Sequence, residues 1–488
     1  MKNSLLNVFN MDAVIEIIMA GLIEVAKFPK LLKFLHVIPE YDQWSPGKKL
    51  KILLCGYNGA RNTGADVRVK AMVDQFYHIL GKDNIEISVM TLNKDLIKGY
   101  FDENTNVIEF NTMFFKDLLH ATFSHHLVVM SEGACFKSKF ANALTVFMAG
   151  AAGLMDSQKK KAVAYGSEAG EMDWLLRAFV KHYCKNAYII SRTEPSMKEV
   201  EKLGLSGELG TDTAWIFEPA GKEWAEQKLK ESGWKGEPIL GINALNPFIW
   251  PVRPYLGRFI AMKLKGQKTR DDHYQKWYFF TTSKEREQKF EYYLSSLSDA
   301  VNNFMKKHDV FPVIIGMEKL DIKPCQDLQK RLERPAPVFC SNEYNGYQIM
   351  SILWSLKLLI SQDYHATALS MIAGVPSCGI ALDERIINIM WERGHLDKLC
   401  ISVEESDLNA KTLNMMEYLW QNEEPVRNEI LDIMPSYLKK MSYMGKLLKD
   451  YIRTNFPSIN LPPDSSDWQD YLPPLSPTLR HILERKIC

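Results

Sequence analysis

The sequence has almost no excess charge of either sign: 60 Lys and Arg stand against 59 Asp and Glu, a net charge of +1. A chain this balanced projects no broad basic field, so nucleic acid is not an expected partner. Long uncharged apolar runs are missing as well. The apolar stretch 14–26 is interrupted by Glu16 and Glu24. It reads as neither a signal peptide nor a membrane span, which needs about 20 apolar residues. It reads instead as an amphipathic helix, with a second short one over 30–37. Lys27, Lys30 and Lys33 alternate there with Phe28, Leu31, Leu32, Phe34 and Leu35. Such a pattern packs on its own domain or lies on a membrane surface, so peripheral membrane contact through residues 11–38 is one expectation. Cysteine is sparse and scattered: the eight residues include no CxxC pair and no Cys/His group at zinc spacing. Buried reduced thiols in a reducing cytoplasm are expected, with no metal and no cofactor. The Gly-Lys-Ser/Thr of a phosphate-binding Walker loop and the GxGxxG fingerprint are also lacking.

What is present is ordinary globular composition, 46% hydrophobic and 24% charged, over 488 residues. That length exceeds one core, and domains of roughly 100–200 residues put two or three in the chain. Short apolar runs ending in glycine or a polar residue recur at 49–55, 84–91, 127–131, 162–165 and 188–191, with helical segments between them. This alternation predicts a parallel sheet with helices on both faces. A Gly- and Pro-rich stretch at 218–238 marks a boundary. A second series follows at 239–243, 310–315, 338–340, 356–361 and 376–380, a five-strand core. The predicted organisation is a helical extension over 1–45, a Rossmann-like domain over 46–220 and a second one over 236–430. A C-terminal helix and Pro-rich tail fill 431–488. The fold class is thus α/β, two doubly wound domains facing across a cleft that holds the active site. An insertion at 247–282 is rich in aromatics and in Lys and Arg, including Phe248, Trp250, Tyr255 and Tyr278. It reads either as a lid or as a surface on which sugar rings stack.

Ligands in open α/β sheets collect at the carboxyl ends of strands, and five segments fall there. The first is Gly56-Tyr57-Asn58-Gly59 running to Asn62-Thr63-Gly64-Ala65-Asp66, where a strand feeds a helix and backbone N–H groups face outward. The second is Ser131-Glu132-Gly133, the third Tyr165-Gly166-Ser167-Glu168, and the fourth Ser191-Arg192 with Asp212 downstream. The planar fork of Arg192 suits a carboxylate or a phosphate, or else an ion pair to Glu168 or Glu194. The fifth is Ser361-Gln362-Asp363-Tyr364-His365, which places His365 at a helix N-terminus, followed by Asp383-Glu384-Arg385 beyond the next strand.

Taken together, these motifs resemble the polysaccharide pyruvyl transferase family from about residue 50 to 405. Gly56-Tyr57-Asn58-Gly59 with Asn62-Thr63-Gly64, Tyr165-Gly166 with Gly170, Ser191-Arg192, Thr211-Asp212-Thr213-Ala214, His365-Ala366 and Ala373-Gly374-Val375-Pro376 carry the likeness. The resemblance implies two Rossmann-like domains similar to GT-B glycosyltransferases. It also implies transfer of a pyruvyl group from phosphoenolpyruvate to a sugar of a cell-surface glycan or its precursor. On that reading His365 is the acid/base, while Arg192, Arg385 and Ser361 hold the donor. The acceptor or loop positions are Gly56, Tyr57, Asn58, Asn62, Gly64, Asp66, Glu132, Gly133, Gly166, Glu168 and Asp212. The sequence departs from the family at Asp363, where the family has an Arg, and an anion beside a trianionic donor is unfavourable. Two rivals stand beside it: a GT-B-type glycosyltransferase using a nucleotide sugar, in which Asp363 meets a hydroxyl, and a non-catalytic homologue that binds a glycan or a partner.

Overall fold

The computed structural model describes residues 11–38, 41–255 and 278–485. Much of the insertion, including Phe259, Tyr274 and Trp277, lies outside the described residues. The first apolar runs fold into β1 (Leu50–Cys55), β2 (Ile85–Thr91), β3 (Thr105–Glu109), β4 (Leu127–Met130), β5 (Lys161–Ser167), β6 (Tyr188–Ser191) and β7 (Gly207–Leu209). They make one parallel sheet in the order β3-β2-β1-β4-β5-β6-β7. The central strands are buried on both faces, as strands covered by helices must be.

The second series gives β8 (Ile239–Asn243), then β9 (Val252–Pro254) and β10 (Tyr278–Phe280), paired antiparallel at the two ends of the insertion. It continues with β11 (Phe311–Gly316), β12 (Val338–Cys340), β13 (Leu358–Ser361), β14 (Ser377–Ala381) and β15 (Cys400–Ser402). Apart from β9 and β10, these form a parallel sheet ordered β12-β11-β8-β13-β14-β15. The expected five-strand core therefore gains a sixth strand, β15. The first sheet likewise carries β3 and β7 beyond the expected runs. All three are outermost strands with half-exposed patterns, so no apolar run announces them.

The two sheets share one hydrophobic core, which runs from Leu50 and Phe76 across to Ile315, Tyr364 and Leu448. The 33-residue helix Glu423–Asn455 leaves the second domain and packs on the first. Tyr437 stacks on Trp215 at 4.3 Å and Tyr451 stacks on Tyr188 at 5.0 Å. The Pro-rich tail then wraps back over the first domain, where Gln75 donates to the Tyr471 carbonyl at 3.0 Å. At the other end of the chain, helix Met11–Ala26 lies on helix Asn142–Ser157. Gly150 and Gly153 leave room there for Met19 and Ile23; a Cβ on either glycine would stand within 2.8 and 2.7 Å of those side chains. Among the described residues no helix is long and apolar enough to cross a membrane.

Candidate active site

In each sheet the strand order reverses once, between β1 and β4 in the first and between β8 and β13 in the second. Neighbouring strands at such a point send their following loops to opposite faces and leave a crevice. The two crevices face each other and enclose a cavity of about 180 Å³. Gly56, Tyr57, Asn62 and Glu132 reach it from the first domain; Leu245, Asn246, Glu318, Asp363, Leu382 and Arg385 reach it from the second. Phe110, Phe114, Phe140, Phe147, Trp250 and Tyr278 build an aromatic wall.

The polar lining is acidic. Glu132 is oriented by backbone N–H groups, that of Gly133 at 2.8 Å and that of Tyr57 at 3.4 Å. The Tyr57 hydroxyl donates to Glu318 at 3.1 Å across the domain boundary. Asp363 caps helix Tyr364–Met371, accepting from the His365 and Ala366 amides at 2.8 and 3.0 Å. A carboxylate thus already occupies a helix N-terminus that could otherwise receive a ligand anion. Among the described residues the cation in the lining is Arg385, held by three bonds to the Asp383 carboxylate and lying 4.6 Å from the Phe140 ring centre.

Beside this cavity, and sharing Trp250 and Leu382 with it, is a second one of about 390 Å³ at the carboxyl ends of β14 and β15. Lys139, Arg286 and Lys289 contribute cations to it, against Glu285 and Glu404. Arg286 donates to the Phe248 and Trp250 carbonyls at 2.6 and 2.7 Å, and Lys289 pairs with Glu404 at 2.8 Å.

The remaining expected residues sit outside the cavity lining, in the packing between and beneath the domains. Arg192 is 3% exposed. Its guanidinium pairs with Glu168 at 2.8 Å and Asp212 at 2.7 Å and covers the Tyr364 ring at 4.1 Å. The structure therefore forms the ion-pair alternative, and Arg192 is not among the residues that line the cavity. Arg68 joins Asp212 at 3.2 Å, and Lys137 bridges Glu168 to Glu384 of the other domain. Burial alone would raise the Glu168 carboxyl, but Arg192 and Lys137 outweigh it and hold the group at about 2. Asp212 is likewise pushed up by burial and then drawn well below the ordinary carboxylate range by Arg68, His365 and Arg192.

His365 is inserted against Gly64, where a Cβ would lie 2.0 Å from its Nδ1, and its Nε2 is 3.5 Å from Asp212. It closes the domains on each other and does not face the cavity. The Ser361 hydroxyl is spent on the Asp363 carbonyl. Asn58 is buried and donates to the Met90 carbonyl. Asn62 caps helix Thr63–Leu80. Asp66 is buried and accepts from the Gly59 amide; desolvation raises its carboxyl to about 7. A Cβ on Gly133 would crowd Arg68 and Arg192, while one on Gly166, which has a positive φ, would meet the Thr211 carbonyl oxygen at 2.7 Å. Trp250 and Tyr278 of the wall come from the aromatic insertion, whereas Glu318 and the four phenylalanines stand outside the expected segments. Glu318 follows β11, and the strand-end rule could have found it. Phe110, Phe114 and Phe140 stand in segments with no local sign of a site. Among the described residues no cluster of three or more His, Cys, Asp or Glu side chains could hold a metal ion.

No protein-family model matches the chain, and no curated protein matches it in sequence, so the pyruvyl transferase likeness rests on the motifs alone. The fold, by contrast, recurs among solved structures. Anabaena HepE in complex with UDP-glucose superposes with a TM-score of 0.53 at 11% identity, over 82% of this chain and 100% of that one. UDP-GlcNAc 2-epimerase from Neisseria meningitidis bound to UDP-GlcNAc gives a TM-score of 0.45 at 10% identity, over 78% and 94%. The calicheamicin glycosyltransferase CalG4 gives 0.41 at 11%, over 84% and 100%. At 11% identity the likeness to HepE is one of fold alone: two Rossmann-like domains in the GT-B arrangement.

Proposed function

We propose that the chain is a GT-B-type transferase that passes a sugar from a nucleotide donor to a glycan acceptor in the interdomain cavity. The observation that carries this reading is the pair of adjacent cavities, whose linings share Trp250 and Leu382. One is aromatic and lined by carboxylates and amides, which suits sugar rings and their hydroxyls. The other is a basic side cavity that suits a diphosphate. Glu132 is the general base: it takes the proton from the acceptor hydroxyl as that oxygen bonds to the anomeric carbon. The bond from that carbon to the diphosphate breaks, and the departing charge is met by Lys139, Lys289 and Arg286. Asp363 and Glu318 accept hydrogen bonds from sugar hydroxyls, and Arg385 is the cation that faces them in the aromatic cavity.

Phosphoenolpyruvate fits this arrangement less well. A small trianion would lie among Glu132, Glu318 and Asp363, opposite a guanidinium already paired to Asp383. The fold neighbour solved with UDP-glucose makes that compound the first donor to try. Thermal unfolding is followed with UDP-glucose, UDP-N-acetylglucosamine and phosphoenolpyruvate; a nucleotide sugar is expected to raise Tm and phosphoenolpyruvate to leave it unchanged. Glu132→Gln is expected to keep donor binding and lose roughly 10²-fold or more in turnover. Stabilisation by phosphoenolpyruvate alone would restore pyruvyl transfer. Stabilisation by neither donor would favour a glycan-binding homologue without activity.

A further inference from the structure

Helix Met11–Ala26 buries one side, with Ile15, Met19, Ile23 and Ala26 against the first domain. The opposite side should be polar on a helix that packs only there. It is apolar instead: Ile17 is 65% exposed and Val25 50% exposed, and they sit with Ile18 and Gly21 on one stripe at spacings of one, four and eight residues. The stripe continues past the helix end into Phe28, Leu31 and Phe34, exposed by 61, 53 and 78%. Beside it runs helix Trp174–Tyr183, whose first residue is 79% exposed. Isolated exposed apolar residues are common on soluble proteins; a contiguous set of this kind marks a binding surface.

The charges on this surface identify the occupant. Lys27, Lys30 and Lys33 interleave with the apolar residues, Lys181 follows Trp174 two turns along its helix, and exposed Lys185 stands in the turn after that helix ends. Among the described residues the acids on this surface are Glu24, paired with Lys27 at 2.6 Å, and Glu171 and Asp173 just before Trp174, where Asp173 caps the helix and accepts from the Leu176 amide. Aromatic and aliphatic side chains rimmed by lysines match the boundary between acyl chains and anionic headgroups, where rings insert and ammonium groups remain in water. A protein partner would have to present an acidic apolar face, whereas an anionic lipid surface offers both components everywhere. We propose that this face, built from Met11–Ala26, the following short helix and Trp174, docks the chain in the plane of an anionic membrane. It lies apart from the cleft, and the proposal does not depend on the transferase reading.

The test is co-sedimentation of the full chain with vesicles of phosphatidylcholine alone and of phosphatidylcholine mixed with phosphatidylglycerol. Binding is expected to the mixed vesicles and to weaken with added salt. Two double variants change only exposed side chains, so folding is checked by their unchanged circular dichroism. Phe28→Ser with Phe34→Ser is expected to abolish measurable partition. Lys30→Glu with Lys33→Glu is expected to lower it at least about ten-fold. Full-strength binding by either variant, or no binding by the unmodified chain, would overturn the proposal. So would light scattering showing a dimer in the unmodified chain that these variants dissolve, because a second copy would then be the occupant.

Discussion

Arg192 stands at the carboxyl end of β6, where a guanidinium that binds a donor would also stand, and only its surroundings decide between the two roles. Glu168 and Asp212 both lie beside it with no exposure. Removing the cation therefore leaves two buried carboxylates short of a partner, although Lys137 and Arg68 remain. Arg192→Met is expected to destabilise the fold by about 3 kcal/mol, measured by urea unfolding, since breaking a buried pair costs more than the pair contributes. A loss of donor binding in that variant reports on function only when its stability is measured alongside. Asp363 is the opposite case. Its carboxylate caps a helix while facing the cavity, and asparagine caps a helix equally well. Asp363→Asn is expected to leave Tm nearly unchanged and to tighten binding of inorganic diphosphate several-fold, read by calorimetry. The sequence made the loop positions legible here, because strand ends in a doubly wound sheet must converge. It did not separate the residues that line the cavity, Glu132, Asp363 and Arg385, from those that lock the domains, Arg192 and His365. That difference lies in which side of a strand end each residue faces across a partner domain, and no local pattern records it.

At the level of elements, the helix that opens with Thr63 and the helix that opens with Tyr364 meet end to end through Gly64 and His365. Gly64→Ala forces its new methyl into the imidazole and is expected to cost roughly 1–3 kcal/mol, as overpacking does. His365→Ala opens that space, so the double variant should recover at least half of the loss. A double-mutant cycle by chemical denaturation measures this, and strict additivity would separate the two residues. The same contact explains why β1 and its glycine loop were readable as a unit while the purpose of Gly64 was not: its neighbour is 301 positions away. The N-terminal helix gives a second expectation. Burial raises Asp12 to about 6 and Glu16 to about 7, with Asp173 adding to both. Folded-state values above the unfolded ones mean that the helix is held most firmly at low pH, and that stability is lost as pH rises through about 7. Glu16→Gln, which keeps the contact with Asn142, is expected to stabilise the chain at pH about 8 on the order of 2 kcal/mol and to change little at pH about 4.

Across the whole molecule, the two domains do not behave as separate bodies joined by a linker. They share one core and one buried charge network, and the helix Glu423–Asn455 straps the second domain to the first. A single cooperative unfolding transition follows from this, with fluorescence and circular dichroism tracing the same curve. The network also sets the acid limit. Glu168 has its folded value near 2 against an unfolded value of 4.5, and Asp212 is shifted in the same direction. Depressed carboxyls contribute stability that is complete above their unfolded values and is lost as pH falls through the folded ones. The contribution of Glu168 to this network should therefore weaken below pH about 4.5 and be gone near pH about 2. The N-terminal carboxyls run the other way, so stability should peak on the mildly acidic side of neutrality and fall on both limbs. Arg192→Met distinguishes the limbs. It withdraws the strongest cause of the Glu168 depression, so the acid limb should flatten while the alkaline limb, set by Asp12 and Glu16, keeps its slope. Urea midpoints at pH about 3, 5 and 8 for both proteins read this directly. An acid limb of unchanged steepness in the variant would mean that Arg192 is not what holds the Glu168 carboxyl down.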